Sequence, residues 1–138
     1  MAAAKACTEP ESAGAATLLI VEDNVVVRLT FADHLRENGF AVIEASSASE
    51  ALDVLQTEDI SVALVFSDIA MPGQMDGFGL LKWIRANRPG LPVLLTSAIA
   101  ERKETLSKSF AHEPFVDKPY DYDEALARIR AMIDAAKQ

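Results

Sequence analysis

The sequence predicts a doubly wound α/β domain, and three observations carry that expectation. Five short apolar runs recur along the chain, and segments with apolar residues at helical spacing lie between them. The strongest of those runs are continuously rather than alternately apolar, as strands covered on both faces of a parallel sheet must be.

The first strand is TLLIVED, residues 17–23, too short to be a helix and closed by two acids. Asn24 can cap the helix that follows, in which Val25, Leu29, Ala32 and Leu35 recur on one face opposite Arg28, Arg36 and Glu37, until Gly39 stops it. FAVIEA, residues 40–45, is the second strand. Ser47 and Glu50 form the Ser-x-x-Glu pattern that opens a second helix carrying Ala51, Leu52 and Leu55. VALVFSD, residues 62–68, is the third strand, after which Met71-Pro72-Gly73 turns the chain.

Asp76 can cap a third helix with Phe78, Leu81 and Ile84 inward, ended by Pro89-Gly90. LPVLLTSA, residues 91–98, is the fourth strand, and residues 101–110 form a fourth helix with few apolar positions. PFVDK, residues 114–118, is a short fifth strand. Asp121 or Asp123 caps a last helix with Ala125, Leu126, Ile129, Met132 and Ile133 on one side.

With 138 residues, half of them hydrophobic and a quarter charged, the chain supplies one core. Residues 1–16 read as a mobile tail and 17–138 as the folded domain, since Glu9, Pro10 and Glu11 interrupt the apolar core a secretory signal would need. The net charge of -8 argues against a surface that neutralises phosphates, so no DNA binding is expected. Cys7 is the single cysteine, which excludes an internal disulfide and a Cys/His zinc framework. No apolar stretch is long enough to span a bilayer, so the expectation is a cytoplasmic protein without membrane contact.

In open parallel sheets the working site lies beyond the carboxyl ends of the strands. Those ends carry Glu22 and Asp23, Asp68, Thr96 and Ser97, and Asp117 and Lys118. Carboxylates ~4 Å apart repel by roughly 4 kcal/mol per pair at an effective dielectric near 20, so the cluster calls for positive charge. Mg2+, held by carboxylates and phosphate oxygens, would supply it, and Lys118 adds more. Asp68 is then a candidate nucleophile toward phosphorus, because carboxylates can form aspartyl phosphates. Any one of these acids alone reads as a solvated loop residue; the constellation is what points to chemistry.

LLIVEDN, SDIAMPG with MDG behind it, PVLLTSA and VDKPY occur in this order from about Thr17 onward. With these motifs the chain resembles the response regulator receiver domain of two-component signalling. The resemblance implies a flavodoxin-like receiver fold, with five strands in the order 2-1-3-4-5 and five helices. It implies that Glu22 and Asp23 hold Mg2+, with Asp23 the direct ligand, and that Asp68 is both a ligand and the phosphoryl acceptor. Ala70, two places on, would offer the metal its backbone carbonyl. Ser97 rather than Thr96 matches the switch hydroxyl, standing before Ala98 and at the family's distance from Pro92, and Phe115 matches the switch aromatic, with an ordinary core aromatic as the other reading. Lys118 matches the phosphate-contacting lysine, and its bond to Pro119 is expected to be cis.

Two departures from the family pattern stand out. MPGQMDG is one residue longer than the commonest spacing, so the loop after Asp68 should bulge. Ala70 and Ile99 are apolar where relatives orient a hydrolytic water, which implies a longer-lived phosphorylated state. His34 and His112 read as solvated surface, Trp83 as partly buried packing, and the charge run at 101–104 as a solvated face.

The resemblance thus implies a stand-alone response regulator, not an enzyme beyond slow self-dephosphorylation. It would take its phosphoryl group from a sensor histidine kinase or histidine phosphotransfer protein. No effector segment follows the last helix, so the output would pass to an unknown downstream protein, through the predicted fourth and fifth helices and strand five. The alternative is a receiver-fold interaction module that works without phosphorylation. An aspartyl-phosphate hydrolase would want an Asp where Ala70 stands, and a nucleotide or flavin site would want a glycine-rich or hydroxyl-rich first loop where the chain has EDN.

Overall fold

Five strands pair in parallel: β1 (Thr17–Val21), β2 (Ala41–Ala45), β3 (Leu64–Asp68), β4 (Val93–Ser97) and β5 (Phe115–Asp117). Their order is β2-β1-β3-β4-β5, the doubly wound arrangement that the sequence predicts. The computed structural model describes residues 16–69, 76–97 and 114–136. Among them are four helices: α1 (Val25–Glu37), α2 (Ala48–Gln56), α3 (Gly77–Asn87) and α4 (Tyr122–Ala136). The helix expected at 101–110 and the loop bulge expected after Asp68 lie outside the described residues.

Side chains of a strand alternate between the two faces of a sheet, so each face of this one builds its own core. Leu19, Val21, Val65, Val93 and Leu95 point to the face covered by α2 and α3, where they meet Ala51, Leu55, Leu80, Leu81 and Ile84. Leu18, Ile20, Leu64, Phe66, Leu94 and Val116 point to the other, where α1 and α4 supply Phe31, Leu35, Ala125, Ile129 and Ile133. Burying one such side chain is worth about 1.5–3 kcal/mol, and both layers together fix the strand ends in space. Ala16 already belongs to this fold, its carbonyl accepting from Ala41 N–H at 3.0 Å.

The caps stand where local chemistry puts them. Asn24, Ser47 and Asp76 accept from Val27, Glu50 and Gly79 N–H at the starts of α1, α2 and α3. At α4 it is Asp121, not Asp123, that caps, accepting from the N–H groups of Asp123 and Glu124. Gly39 sits just past the end of α1 at φ 97°, a conformation open to glycine.

The inward face of α1 differs from the expected one. Val25 and Leu29 are 54% and 45% exposed, while Phe31 joins Ala32 and Leu35 in the core. The spacing marks an apolar stripe along the whole helix, but nothing among the described residues covers Val25 and Leu29 in its first turns. On α3, Leu80 is fully buried beside Leu81 and Ile84, and Phe78 is half-buried at the edge of that core.

Gly77 is required where α3 meets β3. A Cβ there would lie 2.2 Å from the Asp68 carbonyl oxygen and 2.6 Å from Ile69 Cα, and both are backbone atoms that cannot swing aside. Gly77 N–H also donates to the Ile69 carbonyl at 2.8 Å, which locks the approach. Gly77→Ala is expected to cost about 3 kcal/mol, at the upper end for overpacking. A thermal melt indistinguishable from the wild type would contradict this.

Candidate functional site

The acids and the lysine singled out in the sequence meet at the carboxyl edge of the sheet, on the face of α1 and α4. Glu22 N–H continues the β1 ladder by donating to Ala45 at 3.0 Å, and Val21 pairs with Ser67, which sets Glu22 level with Asp68. Asp68 pairs with Thr96, and Thr96 with Val116. Glu22, Asp68, Thr96 and Lys118 each stand two residues beyond a core residue of that face: Ile20, Phe66, Leu94 and Val116. All four side chains therefore share it.

Lys118 reaches across β4 to this row. Its Nζ donates to Asp68 Oδ2 at 2.5 Å and lies 3.8 Å from Glu22 Oε1. Carboxylate oxygens of Glu22, Asp23 and Asp68 all lie within 4.8 Å of one another. Glu22 and Asp68 are buried, each 2% exposed, while Asp23 is exposed at the rim. One ammonium thus faces three carboxylates, and Glu22 Oε1 is buried with no hydrogen-bond partner. A hard oxygen donor set with a buried oxygen that accepts no hydrogen bond fits a divalent cation such as Mg2+.

Burial pushes the Glu22 carboxyl up from its ordinary 4.5 to about 7. The Asn24 N–H opposes this, the Asp68 charge adds to it, Lys118 opposes it and the hydrogen bond with Asp23 adds to it. Because the folded protein holds this proton more tightly than the unfolded chain, the stability it contributes is full below 4.5 and is lost as pH rises through about 7. Glu22→Gln is therefore expected to gain melting temperature relative to the metal-free wild type as pH rises from about 5 to about 8. An offset that does not change with pH would contradict it.

The turn from β1 to α1 is tied down by its own side chains. Asn24 N–H donates to Glu22 Oε2 at 3.1 Å. Arg28, expected on the solvent side, instead folds back, its Nη1 donating to the Glu22 carbonyl at 2.9 Å and its Nε to Glu44 Oε1 at 3.2 Å. Beneath the acids lies an aromatic floor, in which the Phe31 ring stands 4.9 Å from Phe66, 5.4 Å from Tyr120 and 5.1 Å from Tyr122. Burial holds the Tyr120 phenol well above its usual range. A pocket of ≈ 340 Å³ opens beside Glu22 and Lys118, walled by Val27, Pro119, Tyr120 and Tyr122.

The remaining sequence candidates fall as follows. Ser97 is the last residue of β4, paired with Asp117, and its side chain is not among those described. Ala70, Ile99, His112 and the run at 101–104 lie outside the described residues. Phe115 opens β5 half-buried, against the core of the α2/α3 face. The Lys118–Pro119 bond is cis, as the resemblance implies. Trp83 is half-buried packing. His34 corrects its expectation of a solvated surface, because its ring packs between α1 and α4, with Nε2 2.9 Å from Asp123 Oδ1.

Thr96, the hydroxyl that the sequence reading ranked below Ser97, shares the face of Asp68. It is fully buried, it is the in-register neighbour of Asp68, and its hydroxyl has no hydrogen-bond partner. Strand alternation from Leu94 was the signal that could have found it.

The geometry agrees with the comparisons to known proteins. The sensor kinase CckA of Brucella abortus is 31% identical over 124 residues, 88% of this chain and 13% of that protein. The DNA-binding transcriptional regulator NtrC of Klebsiella pneumoniae is 37% identical over 114 residues, 80% of this chain and 23% of its own length. The chain spans about half or less of the length of the curated relatives it matches. Among solved structures, the response regulator protein TrrA from Thermotoga maritima, in complex with Mg2+-BeF, matches at TM-score 0.73 and 26% identity, covering 85% of this chain and 98% of that one. The family model of the response regulator receiver domain matches residues 18–130, and the chain belongs to that family.

Proposed function

We propose that this chain accepts a phosphoryl group on Asp68 from a phosphohistidine of a sensor histidine kinase or histidine phosphotransfer protein. The observation that carries the reading is the Lys118 ammonium 2.5 Å from Asp68 Oδ2, in a pocket whose two other carboxylates are within 4.8 Å. An Asp68 oxygen attacks phosphorus, the N–P bond of the donor breaks, and the imidazole leaves with the electron pair and takes a proton from solvent. Lys118 follows the charge onto the phosphoryl oxygens and steadies it where it develops. Arg28 and Asn24 hold the acidic turn in place meanwhile.

Glu22, Asp23, Asp68 and the backbone carbonyl of Ala70 are the groups that would hold Mg2+. The ion, when bound, neutralises the carboxylates and the incoming phosphoryl oxygens. The Mg2+-BeF complex of TrrA supports this assignment. Ser97 and Phe115 are proposed as the switch pair that responds to the phosphoryl group. The domain acts as a cytoplasmic regulator whose phosphorylation is passed on through protein contacts, and its net charge of -8 does not suit direct binding to nucleic-acid phosphates. No helix among the described residues is long and apolar enough to cross a membrane.

The test is incubation of the purified protein with Mg2+ and acetyl phosphate, read by intact mass. The expected result is a gain of one phosphoryl group that chelation of Mg2+ abolishes. No gain, in a folded protein that binds Mg2+, would favour the phosphorylation-independent module.

A further inference from the structure

We propose that Arg28, anchored by Glu44, is a positioning residue that sets the affinity of the acidic turn for its divalent cation. This rests on the reading of Glu22, Asp23 and Asp68 as the metal ligands. Asp23 is the exposed member of that set and stands in the turn between β1 and α1. A ligand on a turn binds well when its backbone is already fixed, since otherwise the ion has to order it.

Two peptide planes flank Asp23, and a side chain holds each of them. The plane before it contains the Glu22 carbonyl, which accepts from Arg28 Nη1 at 2.9 Å. The plane after it contains the Asn24 N–H, which donates to Glu22 Oε2 at 3.1 Å. With both planes set, the direction in which Asp23 leaves the backbone is set as well. The bond from Asn24 lies within the turn and moves with it. The bond from Arg28 ties the turn to the sheet, because the same guanidinium donates through Nε to Glu44 Oε1 on β2 at 3.2 Å.

Glu44 is itself held. It is the in-register neighbour of Ile20, on the face that α1 covers, and its second oxygen lies 3.1 Å from Arg36 Nη2, which also donates to the Val42 carbonyl. Glu22 N–H donates directly to Ala45, the next residue of β2. Strand β2 therefore grips Glu22 by both backbone groups, the N–H directly and the carbonyl through Arg28. The Arg28 and Glu44 side chains are 14% and 20% exposed, so water competes weakly for these bonds. Neither residue belongs to the carboxylate cluster.

Charge and geometry make opposite demands at Arg28. As a bare charge the guanidinium repels a nearby cation, so its removal would tighten Mg2+ binding, while removal of Glu44 would loosen it. As a support for the turn, loss of either residue loosens binding. The sign of the Arg28 effect separates the two.

The experiment titrates Mg2+ into the metal-free full chain and follows amide resonances by NMR, for wild type, Arg28→Met, Glu44→Ala and the double variant. Thermal melts in chelator run alongside. Arg28→Met is expected to bind Mg2+ about tenfold more weakly than wild type, the lower end for a group that orients a metal ligand without touching the metal. Glu44→Ala should lose less, since Arg28 keeps the Glu22 carbonyl and loses only its anchor. The double variant should bind no more weakly than Arg28→Met, because Glu44 acts through Arg28. Unchanged or tighter binding in Arg28→Met would overturn the proposal, whatever the melts show, and losses that add in the double variant would overturn the anchoring by Glu44. Should Arg28→Met fold poorly, Arg28→Lys takes its place. It keeps the charge without the planar fork, so weaker binding supports positioning and wild-type affinity overturns it. A wild type that binds no Mg2+ refutes the metal assignment itself, and this inference with it.

Discussion

Asp68→Asn takes up no phosphoryl group from any donor, a loss of more than about a hundredfold, yet it remains folded. An amide offers neither the charge nor the lone-pair basicity of a carboxylate, so the attack on phosphorus fails at its first step. Stability should change far less, because two effects oppose one another. The substitution strips Lys118 of its partner at 2.5 Å, but it also removes one of three crowded carboxylates, and Glu22 Oε1 stands 3.8 Å away to receive the ammonium. The net change in unfolding free energy is expected to stay within about 1 kcal/mol in the absence of metal. Intact mass and a denaturant melt check the two halves separately. A folded Asp68→Asn protein that is still phosphorylated at the wild-type rate would end the acceptor assignment.

Lys118→Met is the second large effect, and it divides differently between rate and stability. Phosphoryl uptake is expected to fall about a hundredfold, the usual loss when one donor to developing oxyanion charge is removed. Stability falls as well, since the Asp68 carboxylate, 2% exposed, would lose the ammonium that faces it. Breaking a fully buried pair costs about 3–5 kcal/mol; with Lys118 one-third exposed, about 2–3 kcal/mol is expected in metal-free buffer. Mg2+ should restore most of the stability, because it offsets the same charges, but not the rate. Rates and melts measured with and without Mg2+ separate the two, and full recovery of the rate by Mg2+ alone would show that Lys118 serves only as a counter-charge.

The sheet was legible because its evidence is local. Continuous apolar runs mark strands buried on both faces, and Asn24, Ser47 and Asp76 cap their helices through contacts only three residues away. The acids were legible as well, since each stands at the end of such a run. What escaped depends on contacts far apart in sequence. Arg28 reads as surface because it is charged, yet its aliphatic stem lets the guanidinium turn inward to Glu44, a residue on another strand. Val25 and Leu29 read as core because periodicity cannot tell where the sheet beneath a helix stops. The same holds for His34, whose neighbour Asp123 arrives from the last helix.

Gly77 and Thr96 show the limit most plainly. Gly77 enters the sequence reading only as the last residue of the MDG motif, while the reason for it is the Asp68 carbonyl oxygen 2.2 Å from where a Cβ would be. Thr96 and Ser97 are adjacent hydroxyls, and motif spacing favours the second. Alternation from Leu94 puts the first on the acids' face, and the register of β4 against β3 sets it beside Asp68.

The most direct test is to locate the phosphoryl group. The protein would be phosphorylated with acetyl phosphate and Mg2+, treated with borohydride to reduce the acyl phosphate to a homoserine, digested and mapped by mass spectrometry. Homoserine at position 68 alone is the result predicted here. Conversion at another carboxylate, or none in a protein whose intact mass had risen by one phosphoryl group, would contradict it.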